Sequence, residues 1–194
     1  MSGATGSSYT FTPSGLGTTS IYCKVKNDAG SVNSRTATIT VITGYFFNNG
    51  VINTSLTGGL SAVAQQHSSS TWPKYLEVTN GSNYISLLHI GAGTEGQNRS
   101  GAYYVNNAIN LTNVRTISIN VSLHDGSTYW SDAYLFVTNS KNTQTVNYVA
   151  KVSIETVGNH VLDVSGLSGN YYIGIMLTGK QSCRVNFTEW KISS

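Results

Sequence analysis

Seven carboxylates lie beyond residue 44: Glu77, Glu95, Asp125, Asp132, Glu155, Asp163 and Glu189. A glycoside hydrolase needs two of them facing each other across the scissile bond, about 5–9 Å apart. Their spacing along the chain pairs none. Glu95 lies in the loop-like run Gly91-Ala92-Gly93-Thr94-Glu95-Gly96-Gln97-Asn98 and reads as an exposed loop acid. Asp125 and Asp132 flank Gly126-Ser127-Thr128-Tyr129-Trp130-Ser131. Two such acids can cap a turn or bind calcium through oxygen, and the missing D-x-D-x-D ladder favours the turn. The histidines His67, His89, His124 and His160 form neither H-x-x-x-H nor H-E-x-x-H, which points away from zinc. His89 alternates with apolar neighbours and reads as a hydrogen-bonded sheet residue. There is no G-x-S-x-G nucleophile elbow, and Gly91-Ala92-Gly93 does not lead into a helical pattern that would cradle phosphate. The expectation is a non-catalytic chain with no metal and no cofactor.

The more telling side chains are aromatic. Trp72, Tyr103, Tyr104, Tyr129, Trp130 and Tyr134 fall in or beside turn-rich segments. Sugar rings stack on flat aromatic faces, while Asn, Asp and His hydrogen-bond their hydroxyls. Tyr129 and Trp130, framed by Asp125 and Asp132, are the preferred ligand contacts, with Tyr103 beside them. Trp72, which precedes Pro73, and Trp190 near the end read as packing residues. Asn-x-Ser/Thr sequons at Asn53, Asn80, Asn98, Asn110, Asn120 and Asn186 are what a chain this rich in Asn, Ser and Thr produces by chance.

Composition narrows the class. Charged residues are 10% of the 194, and polarity comes instead from Ser, Thr, Asn, Gly and Tyr. Those types suit strands and tight turns and make poor helix interiors. A net charge of +3 with eleven scattered Lys and Arg leaves no nucleic-acid footprint. No run approaches the ~20 apolar residues of a membrane-spanning helix. Met1-Ser2-Gly3 leads directly into Gly- and Ser-rich sequence with no visible signal peptide. Cys23 and Cys183 fall in different halves and read as two buried thiols.

The elements that must position these residues are strands. Tyr9–Thr12 alternates, Pro13-Ser14-Gly15-Leu16-Gly17 turns, Thr19–Lys26 alternates again, Asn27-Asp28-Ala29-Gly30 offers a hairpin, and Thr36–Val41 returns. Three sequential antiparallel strands are expected, with Ile21, Cys23 and Val25 on one face and Ala37, Ile39 and Val41 inward. The run Ile21-Tyr22-Cys23-Lys24-Val25-Lys26-Asn27-Asp28-Ala29-Gly30-Ser31 resembles the F–G hairpin of immunoglobulin-like domains, although Ile21 stands where their corner tyrosine would be. The resemblance covers residues 7–41 and implies the C-terminal half of such a domain, a fragment of a longer protein or a hairpin that packs on its neighbour. Val41-Ile42-Thr43-Gly44 marks a short boundary.

Residues 45–194 read as a two-sheet jelly roll. Strands are expected at Tyr75–Val78, Tyr84–Ile90, Ala102–Val105, Arg115–Ser122, Ala133–Val137, Val146–Ile154, His160–Val164, Tyr171–Leu177 and Cys183–Ile192. The continuous apolar run Ala133–Val137 predicts a strand covered on both faces or a sandwich-core strand. The fold class is therefore all-β: a partial Ig-like unit over 1–44 and a jelly-roll β-sandwich over 45–194. The segment Leu162–Ile173, with Asn48-Asn49-Gly50, Thr57–Leu60 and Leu111–Val114, resembles β-sandwich modules of tail-associated proteins from phages and prophages of gut Firmicutes. Val185–Ile192 resembles the closing strand of carbohydrate-binding jelly rolls. The resemblance implies a structural or adhesion module of a phage tail or virion, or a carbohydrate-binding or adhesion module of a secreted cell-surface protein. Its partners would be other virion or cell-surface subunits, a second copy of the chain, or a surface glycan.

Overall fold

The computed structural model describes residues 5–6, 8–11, 17–41, 43–64, 76–90, 99–126, 131–141, 146–179 and 181–194. The chain is almost entirely β. Among the described residues there is one short helix, α1 (Thr54–Thr57), capped by the Asn53 side chain, which accepts from the Leu56 N–H.

Residues 17–41 form a two-stranded ribbon. Strand β1 (Gly17–Ile21) pairs with β4 (Ala37–Val41), and β2 (Lys24–Asn27) pairs with β3 (Gly30–Asn33). The two ladders lie in one hairpin and differ in register by one residue. Ser34 bridges the slip: its N–H donates to the Cys23 carbonyl at 2.7 Å, and its Oγ accepts from the Cys23 N–H at 2.8 Å. Asp28 and Ala29 make the turn, with the Asn27 carboxamide accepting from Ala29 N. The third strand expected at Tyr9–Thr12 does not form over Ser8–Phe11, and Thr12 lies outside the described residues. Cys23 is exposed on the ribbon and Cys183 is buried, so only one of the two thiols is in a core. Alternation alone put Cys23 inside, but a ribbon of two strands has no second layer to cover it.

The rest is a sandwich of two sheets. One sheet runs β14 (Tyr148–Ser153), β13 (Ser131–Thr138), β16 (Asn170–Gly179), β10 (Arg99–Val105), β7 (Leu60–Ala64), with β11 (Ile109–Asn110) also on β16. The other runs β15 (Gly158–Asp163), β12 (Thr116–Gly126), β17 (Cys183–Ser193), β5 (Thr43–Asn48), β6 (Val51–Ile52). In this second sheet the first half of β17 carries β9 (Ile85–His89), which pairs with β8 (Leu76–Asn80). All the pairings are antiparallel. From β12 onward the chain passes between sheets at β12–β13, β14–β15, β15–β16 and β16–β17, as in a jelly roll.

The main core lies between the sheets. Leu135, Val137, Ile173, Ile175 and Leu177 from one side meet Ile117, Ile119, Val185, Phe187, Trp190 and Ile192 from the other. Parity in β17 switches between Phe187 and Trp190, so strict alternation would send one of them to solvent. A bulge resolves this: the register against β12 skips Thr188. A second irregularity opposite Trp190 skips Phe46 on β5, and both Phe46 and Phe47 are buried. Trp190 meets Phe46 and Phe187 edge-on, with centroids 5.3 and 6.1 Å away.

Candidate functional site

Of the residues expected to form one site, Asp125, Asp132 and Tyr103 are among those described. Asp125 ends β12 in one sheet, opposite Arg184, while Asp132 sits near the start of β13 in the other. Tyr129 and Trp130, between them, lie outside the described residues, as do Glu95, His67 and Trp72. Tyr103 points inward and is 4% exposed within the main core, so it offers no face to a ligand on the surface. The other acids have separate tasks. Glu189 pairs with Lys191 at 2.7 Å, and Asp163 accepts from Ser165 N at 2.9 Å, which holds its carboxyl below the usual range. His89 is buried, with Nδ1 3.1 Å from the Gln181 carbonyl oxygen, in keeping with a sheet residue. Among the described residues no three His, Cys, Asp or Glu gather around one point.

The feature that does stand out is the outer face of the sheet containing β13. Outward positions alternate with core positions along each strand. On β13 these are Asp132, Tyr134 and Phe136; on β16, Tyr172, Gly174 and Met176; on β10, Ala102 and Tyr104. The registers place them in rows across the strands. One row reads Ser61, Tyr104, Gly174, Phe136, Lys151, and the next reads Val63, Ala102, Met176, Tyr134, Ser153.

Tyr148 joins this face through a bulge. The register of β13 against β14 pairs Val137 with Ala150 and Thr138 with Tyr148, which leaves Val149 over. The extra residue is 39% exposed, and the slip sets Tyr148 beside Phe136 and Tyr134. Without it, Tyr148 would share the parity of core-facing Ala150 and Val152.

The face has a buried floor and an accessible rim. Ala102, Tyr104, Phe136 and Met176 form the floor, and Val63, Tyr134, Val146, Tyr148 and Tyr172 pack around it half-buried. Tyr104 and Phe136 meet edge-on at 5.5 Å, and Phe136 and Tyr148 at 5.3 Å. Such pairs contribute about 0.5–1.5 kcal/mol each beyond area burial. Gly174 makes the arrangement possible, because a Cβ there would lie 2.6 Å from Phe136 Cζ and 3.1 Å from Tyr104 Cδ1.

Charges edge the rings. Lys151 Nζ lies 4.1 Å from the Tyr134 ring centre and 4.8 Å from that of Tyr148. Lys141 Nζ lies 5.0 Å from the Tyr172 ring centre and 5.9 Å from that of Tyr104, and donates to the Asn106 carbonyl at 2.8 Å. Burial, and then the Asp132 carboxylate, push the Tyr134 phenol above its ordinary range, and the same two causes raise Tyr148. Burial drives the Tyr104 phenol up to about 12. The phenols are therefore neutral near pH 7 and present hydroxyls beside π-faces. Flat rings, hydroxyls, amides, two ammonium groups and a carboxylate suit a polyhydroxylated ligand.

Sequence reading reached part of this face. Tyr104 and Tyr134 were among the aromatic candidates and Asp132 among the preferred contacts. Tyr148, Tyr172, Lys141 and Lys151 were missed. For Tyr172 the signal was present, since it alternates with core-facing Tyr171 and Ile173. For Tyr148 only the bulge decides the face.

No protein-family model matches the chain, and no curated protein matches it. Solved structures similar to it include a family 29 carbohydrate-binding module at 11% identity and a TM-score of 0.45, covering 78% of this chain and 84% of that one. A family 30 carbohydrate-binding module gives 11% and 0.42 over 79% of this chain and 99% of that one. An adhesin domain of Lys-gingipain from Porphyromonas gingivalis gives 13% and 0.37 over 69% and 98%. At this distance no residue role passes from those proteins to this chain.

Proposed function

We propose that the chain is a non-catalytic module that binds glycan on the aromatic face of β14-β13-β16-β10-β7, acting outside the cell or at a cell surface. The observation that carries this reading is the set of half-buried rings Tyr134, Tyr148 and Tyr172 on one sheet face, seated on a fully packed aromatic floor. A fold needs only one apolar side per sheet. A second, ring-lined side with hydroxyls, lysines and a carboxylate at its edge is what a sugar-stacking surface requires. The role is adhesion or carbohydrate recognition. A phage-tail appendage, the first reading raised by the motifs of residues 45–194, draws nothing specific from this face.

The test is binding of the full chain to a panel of immobilised polysaccharides and whole cells, with Tyr134→Ala and Tyr148→Ala beside it. We expect at least one polysaccharide to be retained, each variant to weaken binding roughly tenfold or more, and no reducing ends to be released. Undiminished binding by both variants would move the site elsewhere. Robust turnover would make the chain an enzyme.

A further inference from the structure

Lys141 stands out among the charges on this face. Its ammonium is partly buried against Tyr172 and Tyr104, and its hydrogen bonds run to the Asn106 carbonyl at 2.8 Å and, at 3.5 Å, to the Asn106 side-chain oxygen. Among the described residues it makes no ion pair. Burial lowers its pKa, the mark of a cation losing water without gaining a counter-charge.

The surroundings hold it in place. Asn106 follows β10; its Oδ1 accepts from Ser61 Oγ and its Nδ2 donates to the Gly58 carbonyl. The Asn106 backbone is fixed in turn by its N–H, which donates to Gly59 O at 3.0 Å. A neutral amide network thus supports a cation that it does not neutralise. The acids of this face lie toward its other end: Asp132 and Glu155 both act on Tyr134, and Asp132 also on Tyr148. Neither is among the groups that perturb Lys141.

We infer that Lys141, with Tyr172 and Asn106, forms a subsite for the carboxylate of an acidic polysaccharide, a polymer of hexuronate units. This rests on the glycan-binding reading and names its ligand class. A carboxylate accepting from Lys141 Nζ would sit at about 2.8 Å. A uronic acid carries that group directly on its ring, so the sugar stays within stacking reach of Tyr172 or Tyr104. Binding gives the ammonium the counter-charge that burial did not supply, so affinity concentrates at this residue. Lys151 plays a different part: it bridges Tyr134 and Tyr148 at the end of the face where the acids already sit.

The experiment is calorimetric titration of the full chain with polygalacturonate, alginate and a neutral β-glucan at low and high salt, repeated with Lys141→Met and Tyr148→Ala. Methionine keeps the apolar stem over Tyr172 and removes the charge. We expect the acidic polymers to bind more tightly than the neutral one, with affinity falling as salt rises. Lys141→Met should lose roughly tenfold or more on the acidic polymers and little on the neutral one. Equal or preferred binding of the neutral glucan, or acidic binding that Lys141→Met leaves intact, overturns the carboxylate subsite while the glycan reading stands. Failure of every polymer to bind overturns both.

Discussion

Gly174 lies directly beneath Phe136: a methyl group at that position would sit 2.6 Å from Cζ and 2.9 Å from Cε1 of the ring. Phe136 and Tyr104 each pair with Gly174 in register, one from each side, so their rings meet over a strand with no side chain between them. Gly174→Ala should therefore force both rings to shift. We expect a loss of about 1–3 kcal/mol, typical of overpacking, visible as a lower urea midpoint. Polysaccharide affinity should fall with it, because Tyr148 rests against Phe136. An unchanged midpoint would mean that the floor is loosely packed.

Tyrosines on opposite sides of one sheet should behave in opposite ways. Tyr103 is in the main core and Tyr134 is on the face. Tyr103→Ala should cost about 3–5 kcal/mol as a buried aromatic truncation. Tyr134→Ala should cost less in stability and more in binding. Paired denaturation and binding curves check this, and a reversal of the two effects would put the face on the wrong side of the sheet.

Alkaline stability follows from the buried phenols. Tyr103 and Tyr104 are both raised from 10.0 to about 12 by burial. The folded state therefore holds these protons where the unfolded chain has released them. Their stabilisation is complete below pH ~10 and is lost as pH climbs to about 12, at up to ~1.4 kcal/mol per pH unit for each tyrosine. Urea midpoints across that window should fall, and Tyr103→Phe should flatten the slope. A flat wild-type profile would contradict the burial of these groups.

The ribbon should be dispensable for the sandwich. Its strands pair only with one another, and Tyr22, Val25 and Val32 are 56%, 67% and 72% exposed. A variant lacking residues 1–41 should unfold cooperatively with a stability within about 0.5 kcal/mol of the full chain. A large drop in calorimetric Tm would show that the ribbon belongs to the core of the larger unit.

The sequence by itself determined the strands and which of their residues point the same way. Alternation in Arg115–Ser122 and the apolar run at Ala133–Val137 could be read directly, because side-chain period and burial are local properties of an extended chain. That run was expected to be covered on both faces or to lie in a sandwich core, and both hold: Leu135 and Val137 turn to the main core, while Phe136 lies in the aromatic floor. Asp132 and Tyr134 could be singled out because both lie just beyond the turn-rich run Gly126–Ser131. Only the tertiary structure decided the rest. Strand order set β13 and β10 on either side of β16, which brought Tyr104 to Phe136 from thirty-two positions away, and no spacing along the chain encodes that choice. Register irregularities decided Tyr148, Trp190 and the adjacent pair Phe46 and Phe47, because one skipped residue reverses the face that alternation assigns. The same limit explains Cys23. Its alternation predicted burial, but a residue is buried only when a second layer arrives to cover it.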